Sequence, residues 1–217
     1  PVRLPEYGAA PLSTADLQAW VRLAYSVSEQ VLYVAMEVVD DVAVVAGSSS
    51  AAWDTEDGAE IYLDLTHGES SAVRQYTIRG AGTAAQRAAD DTDEVLVRWR
   101  RQSGRQIYEW RIDISGFALH DMAAGNTLSA DFVVCDYDPD GSFSWLSWGR
   151  KIYKVGPADR RGDVVLVRDP ERVGHLEGSV LWSGTDVGIA GSNVRLQSTA
   201  DSSLSVRLTS RSGGLFD

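Results

Sequence analysis

The 217-residue sequence holds one cysteine, Cys135, so no disulfide can close within the chain and no cysteine-based zinc site can be assembled. Only two of its twenty basic residues are lysines, Lys151 and Lys154, and 31 Asp and Glu leave a formal net charge of -11. Such a chain lacks the basic stripe that displaces counterions from nucleic-acid phosphates and the polybasic cluster that holds a protein to an anionic membrane. No apolar run approaches the roughly 18 residues of a membrane helix, and the start shows neither a charged n-region nor an apolar h-region. Sequence signatures of a nucleophile elbow, an H-E-x-x-H zinc helix, a P-loop or a C-x-x-C pair are absent as well. His67, His120 and His175 lie in three separate turn-like segments, with no pair at ligand spacing. The chain is therefore expected to be non-catalytic.

What is present is a composition that can bury a core, 44% hydrophobic and 24% charged. Phe is scarce, with 4 against 7 Trp and 8 Tyr, so the rings lean towards those carrying a polar atom, which suit half-wet places. Apolar residues recur with the period of a strand. Val21, Leu23 and Tyr25 alternate with Arg22, Ala24 and Ser26; Leu32, Val34, Met36 and Val38 alternate with Tyr33, Ala35, Glu37 and Val39. Further short runs cover 59–65, 72–79, 94–101, 107–114, 127–135 and 163–167, separated by Gly, Ser, Asp and Asn. Only 14–20 and 83–89 carry brief helical stripes. The expected fold is all-β, an antiparallel sandwich of jelly-roll type. Several strands set an apolar face against one of acids and Arg, which reads either as a solvated exterior with cross-strand ion pairs or as a polar binding platform.

Two segments concentrate acid beside tryptophan. In the first, 53–64, Trp53 adjoins Asp54, Glu56, Asp57, Glu60 and Asp64; a ring beside a polar loop either plugs the sandwich end or stacks on the C–H face of a sugar. In the second, 135–149, Asp136, Asp138 and Asp140 precede Gly141 with the D-x-D-x-D-G spacing that suits a hard cation. Ser147 stands at the twelfth position, where an EF-hand has Glu, and no flanking helices are expected, so the alternatives are a calcium loop within a β fold and an Asp-stabilised turn. Trp145 and Trp148, three positions apart in an extended segment, face opposite ways.

These blocks together resemble carbohydrate-binding module family 9 within the wider group of β-sandwich sugar- and haem-binding domains. Leu32 to Asp41 is similar to the family's "LYVAxxVxDD" block, Trp53 to Asp64 to its W-D-x-x-E-I-Y-x-D block, Tyr108 to Ile112 to its next strand, and Asp136 to Trp148 to its Asp-rich loop ending in L-S-W. The resemblance spans roughly residues 16 to 167. It implies a sugar clamp of Trp53 and Trp148, hydroxyl partners Glu60, Asp136 and Arg79, and structural calcium, here at Asp136, Asp138 and Asp140.

From Leu176 the sequence resembles the opening of a carboxypeptidase-regulatory-like, Ig-like domain, through Gly178 to Val180, Gly191 to Leu196 and Gly214 to Phe216. Residues 1–170 are accordingly expected to form the sugar-binding module and 171–217 a partial Ig-like unit. Because the chain begins at Pro1, it is expected to be part of a longer, exported, multi-domain protein, secreted, periplasmic or at the cell surface. The expected partner is an oligosaccharide or polysaccharide, together with further domains of the parent chain. Two alternatives stand beside this: an electron-transfer domain with haem held by Met36 or Met122 and a histidine, or an adhesion or spacer module with no small ligand.

Overall fold

The computed structural model describes residues 2, 4–8, 13, 15–45, 54–65, 73–80, 85–86, 94–115, 123–149, 154, 161–168, 178–179, 181–185, 187–197, 205–210 and 215–216. Among the described residues there are fifteen strands, all paired antiparallel, and no helix. One four-stranded sheet runs β2 (Leu17–Ser26), β3 (Val31–Asp40), β8 (Arg105–Asp113), β7 (Val95–Gln102). A seven-stranded sheet runs β1 (Leu4–Gly8), β10 (Phe143–Ser147), β9 (Thr127–Tyr137), β4 (Gly58–Asp64), β5 (Arg74–Arg79), β6 (Ala85–Gln86), with β11 (Gly162–Val165) also on β9.

The core lies between the two sheets. Val34, Met36, Tyr108, Trp110 and Ile112 from one sheet meet Ile61, Leu63, Tyr76, Ile78, Phe132 and Val134 from the other. Each such side chain stabilises the fold by about 1.5–3 kcal/mol, so the inward phase of every strand is strongly specified: a one-residue slip would turn this set outward. The strand read at 21–25 begins earlier than its alternation suggested. The brief helical stripe at 14–20 gives way to strand from Leu17, because Leu17 and Ala19 continue the inward phase and the segment pairs with β3 from Leu17↔Asp40 onwards. Of the other stripe, Ala85–Gln86 is strand and the rest lies outside the described residues.

The two outer faces differ. On the four-stranded sheet the outer face is solvated, with Arg22, Leu96, Arg98 and Glu109 exposed. On the seven-stranded sheet it is covered: β4 is buried at every position, and Tyr62, Val73, Val133, Cys135 and Trp145 form a second apolar cluster there. Of the two readings of the polar strand faces, the solvated exterior fails for this sheet. Part of the cover is visible as Lys154 and Arg161, both fully buried, which bind Asp131 at 2.6 Å and Asp64 at 3.1 Å. Beyond residue 168, β12 (Gly178–Ser179) pairs with β15 (Leu215–Phe216), and β13 (Asn193–Gln197) pairs with β14 (Ser205–Thr209).

Candidate functional site

At one end of the sandwich the inward phase changes from apolar to acidic. On β3 the series Val34, Met36, Val38 ends in Asp40; on β8 the series Ile112, Trp110, Tyr108 ends in Gln106; Asp57 leads into β4, and Asp136 lies near the end of β9. Asp40, Asp57 and Asp136 are all buried, and each offers a carboxylate oxygen within 4.8 Å of the other two. Gln106 Nε2 donates to Asp40 Oδ2 at 2.6 Å and to Asp57 Oδ2 at 2.7 Å. Its carbonyl accepts from Trp99 Nε1 and the Tyr108 hydroxyl, which fixes the amide's orientation. Backbone N–H groups of Val42, Val44 and Tyr137 orient the Asp40 and Asp57 carboxylates. Asp136 Oδ1, by contrast, is buried without a hydrogen-bond partner.

Burial, aided by the charge of Asp40, pushes Asp57 up to about 7. Burial together with Asp40, Asp57, Asp138 and Asp16 pushes Asp136 up to about 8. Three carboxylates drawn from both sheets, held by donors from behind and with one oxygen unmatched, form the oxygen-rich set that suits a hard divalent cation. A second group, Asp16, Asp41 and Asp138, converges closer to solvent, and burial raises Asp138 too. The residues expected to form one calcium loop thus separate: Asp136 turns to the inter-sheet group and Asp138 to the outer group. Asp140 is exposed and accepts the Ser142 N–H in a turn, which lowers its pKa. Strand β9 ends at Tyr137 and the chain turns over Asp138 to Gly141, so these acids leave the single face that strand alternation would have kept them on, and a spacing read on one loop resolves into ligand sets assembled from several strands.

The expected sugar contacts also separate. Glu60 lies on the outer face of β4, where it accepts the Tyr62 hydroxyl at 2.7 Å while Gln75 Nε2 donates to the Tyr62 oxygen at 2.9 Å. Arg79 shares that face, opposite Gly58, two positions from Glu60. Trp148 is on the other side of the sheet. Its N–H continues the ladder to Phe132 O, and its ring lies 5.8 Å from that of the core residue Phe132. It borders a cavity of about 300 Å³ with Val21, Leu23 and Asp163. Trp145 is the tryptophan that shares the outer face with Glu60, buried under Lys154, whose Nζ stands 5.6 Å from the ring centroid. Asp136, at the sandwich end, belongs with Asp40 and Asp57. Trp53 lies outside the described residues, as do Met122 and the three histidines; Met36 is fully buried in the core.

Asp40, Asp57 and Gln106 were not singled out as site residues from the sequence. A signal existed: each stands in or beside an inward phase where a polar side chain needs a partner.

The fold is similar to two solved structures of a carbohydrate-binding module family 9 from Caldicellulosiruptor kristjanssonii. The complex with cellotriose has a TM-score of 0.61 at 18% identity, covering 81% of this chain and 87% of that one. The complex with glucose has a TM-score of 0.61 at 17% identity, covering 81% and 88%. A putative carbohydrate-binding protein from Bacteroides uniformis follows, with a TM-score of 0.50 at 13% identity over 76% and 86%. No curated protein matches the chain. At these identities the likeness is one of fold, but a family model matches the sequence itself over residues 4–167, and the chain belongs to the family described as carbohydrate family 9 binding domain-like.

Proposed function

We propose that the chain is a non-catalytic carbohydrate-binding module, part of an exported multi-domain protein, that takes the end of a neutral glucan-type oligosaccharide. Family membership over residues 4–167 carries the reading, supported by the fold shared with modules described in complex with cellotriose and glucose. The favoured contact residues are Glu60, 5% exposed, and the half-buried Arg79, on the outer face of the seven-stranded sheet at the margin of its cover. There Tyr62 and Gln75 aim the Glu60 carboxylate and Arg79 lies alongside, an arrangement that gives charge-assisted hydrogen bonds to sugar hydroxyls. Trp53, seven positions before Glu60, supplies the stacking ring in this reading. Trp148, on the opposite side of the sheet, is assigned to packing.

Calorimetric titration with cellotriose and glucose tests this. Trp53→Ala and Glu60→Gln are expected to weaken binding about tenfold or more, the size of one lost charge-assisted bond or ring contact. Trp148→Ala is expected to leave affinity unchanged and cost about 1–3 kcal/mol of stability, less than a fully buried Trp because its ring is partly exposed. Loss of binding in Trp148→Ala with none in Glu60→Gln would move the contact surface to the other side of the sheet.

The same reading gives Asp40, Asp57 and Asp136 a structural calcium ion. Its work would be to neutralise acids contributed by both sheets, and the unmatched Asp136 Oδ1 is the observation that supports it. The strand pairs beyond residue 177 are consistent with an Ig-like unit over 171–217 as a separate spacer.

A further inference from the structure

On the outer face of the four-stranded sheet two neighbouring rows of side chains make a trough. One row is Ala24, Tyr33, Arg111 and Leu96; the next is Arg22, Ala35, Glu109 and Arg98. The methyl groups of Ala24 and Ala35 form the floor, longer side chains stand on either side, and the cavity between them holds about 490 Å³. Two apolar groups are left in water at its edge, Tyr33 at 37% and Leu96 at 55% exposure. The Tyr33 ring is anchored, because its hydroxyl donates to Glu29 Oε2 at 2.8 Å.

The charge of this trough is opposite to that of the chain. In a protein of net charge -11 it gathers Arg22, Arg98 and Arg111 against Glu109 alone. Arg22 is paired with Glu37, and Glu109 approaches Arg100 at 4.0 Å. Arg98 and Arg111 form no ion pair among the described residues: Arg98 donates to its neighbour's carbonyl, Val97 O, across from Glu109, and Arg111 stands near the charge of Asp113. Two guanidinium forks beside a fixed ring and a small apolar floor match a flat, ring-shaped ligand that carries carboxylates.

The geometry points to a second saccharide site on this face, for an anionic sugar chain built of uronic acid units. Carboxylates meet Arg98 and Arg111, and a pyranose C–H face rests on Tyr33 over the Ala24 and Ala35 floor. A nucleic acid would offer anions as well, but binding its phosphate backbone takes a continuous basic stripe that displaces counterions, and two arginines flanked by Glu109 and Asp113 do not make one. The site lies on the other sheet from Glu60 and is independent of the neutral-sugar reading.

Calorimetric titration of the full chain with tetragalacturonate, and with cellotriose as the neutral probe, decides the matter. The uronate oligomer is expected to bind, to weaken as salt rises, and to lose about tenfold or more in Arg98→Ala combined with Arg111→Ala. Tyr33→Ala should lower affinity further, and Glu60→Gln should leave it unchanged. Arg98, Arg111 and Tyr33 are on a solvated face, so those variants are expected to keep the parent melting temperature. Absence of uronate binding, or uronate binding indifferent to both arginines, overturns the site. Inorganic polyphosphate binding as tightly as the uronate overturns the sugar-acid assignment. Uronate binding with no response to cellotriose would leave this site standing and remove the neutral-sugar reading.

Discussion

Gln106 reaches the acidic end of the sandwich with an amide whose two ends are committed to different partners. Its oxygen takes the Trp99 and Tyr108 donors, so only the NH₂ can face Asp40 and Asp57. Gln106→Leu keeps approximate size but leaves the Tyr108 hydroxyl and the Trp99 indole N–H without that acceptor. A loss of about 1–3 kcal/mol per stranded buried group is expected, read by urea unfolding. Gly162 is constrained by shape. A Cβ there would stand 2.2 Å from Trp148 Cζ3, so the indole rests directly on the Gly162 backbone. Gly162→Ala is expected to displace that ring, cost about 1–3 kcal/mol as other overpacked sites do, and change the near-ultraviolet circular dichroism. At this scale the sequence was only partly legible. The acids beside tryptophan stood out, but alternation could not say that Trp148 would fall on the core side and Trp145 outside until β10 was known to be a strand. Asp40 and Gln106 were readable in principle, as polar residues in otherwise apolar phases.

Strand β9 explains the construction of the larger sheet. One of its edges is shared end to end: β10 pairs with Val133 to Tyr137 and β11 with Thr127 to Ala130. Between the two partners the chain contributes Lys154 and Arg161 to the outer face. Lys154 Nζ binds Asp131 at 2.6 Å and Gly149 O at 2.7 Å; Arg161 binds Asp64, Ser129 Oγ and Lys154 O. Removing one member strands a buried charge. Lys154→Met is expected to destabilise by about 3–5 kcal/mol, and the double change Lys154→Met with Asp131→Leu to recover most of it, both measured by chemical denaturation. Most strands were legible because the period-two pattern is a local property: the runs from Leu32, Ala59, Ile107 and Thr127 all became strands. β10 was not, since Phe143–Ser147 follows Asp138 to Gly141 and carries two serines, which reads as the end of a loop. Burial of the larger sheet's outer face was not legible either. The chain that covers it is remote in sequence, and a row of acids looks the same whether water or an arginine lies above it.

At the scale of the whole molecule, two groups of carboxylates, Asp40, Asp57 and Asp136 and then Asp16, Asp41 and Asp138, gather at the end where the two sheets meet. This makes stability depend on pH and calcium with opposite signs. Asp57 at about 7 and Asp136 at about 8 lie above the ordinary 3.8, so the folded state without cation holds protons that the unfolded chain releases. That protein is expected to be most stable in acid and to lose stability as the pH rises towards 8. Calcium needs the deprotonated carboxylates, so its stabilisation is expected to grow over the same range. Melting curves from pH 6 to 9 in chelator and in calcium check both signs; identical curves would dissociate the cation from Asp40, Asp57 and Asp136. The family assignment and the sandwich were legible at this scale, because four blocks in order constrain a fold more than any residue does. Which faces stay open was not. One consequence concerns the lone thiol. Cys135 is buried on the covered face, between Gly58 and Trp145 in register. A thiol-reactive dye can label this chain at one position only, and only when the cover lifts. Labelling kinetics on the unmodified protein would therefore time the opening of that face, without an engineered probe.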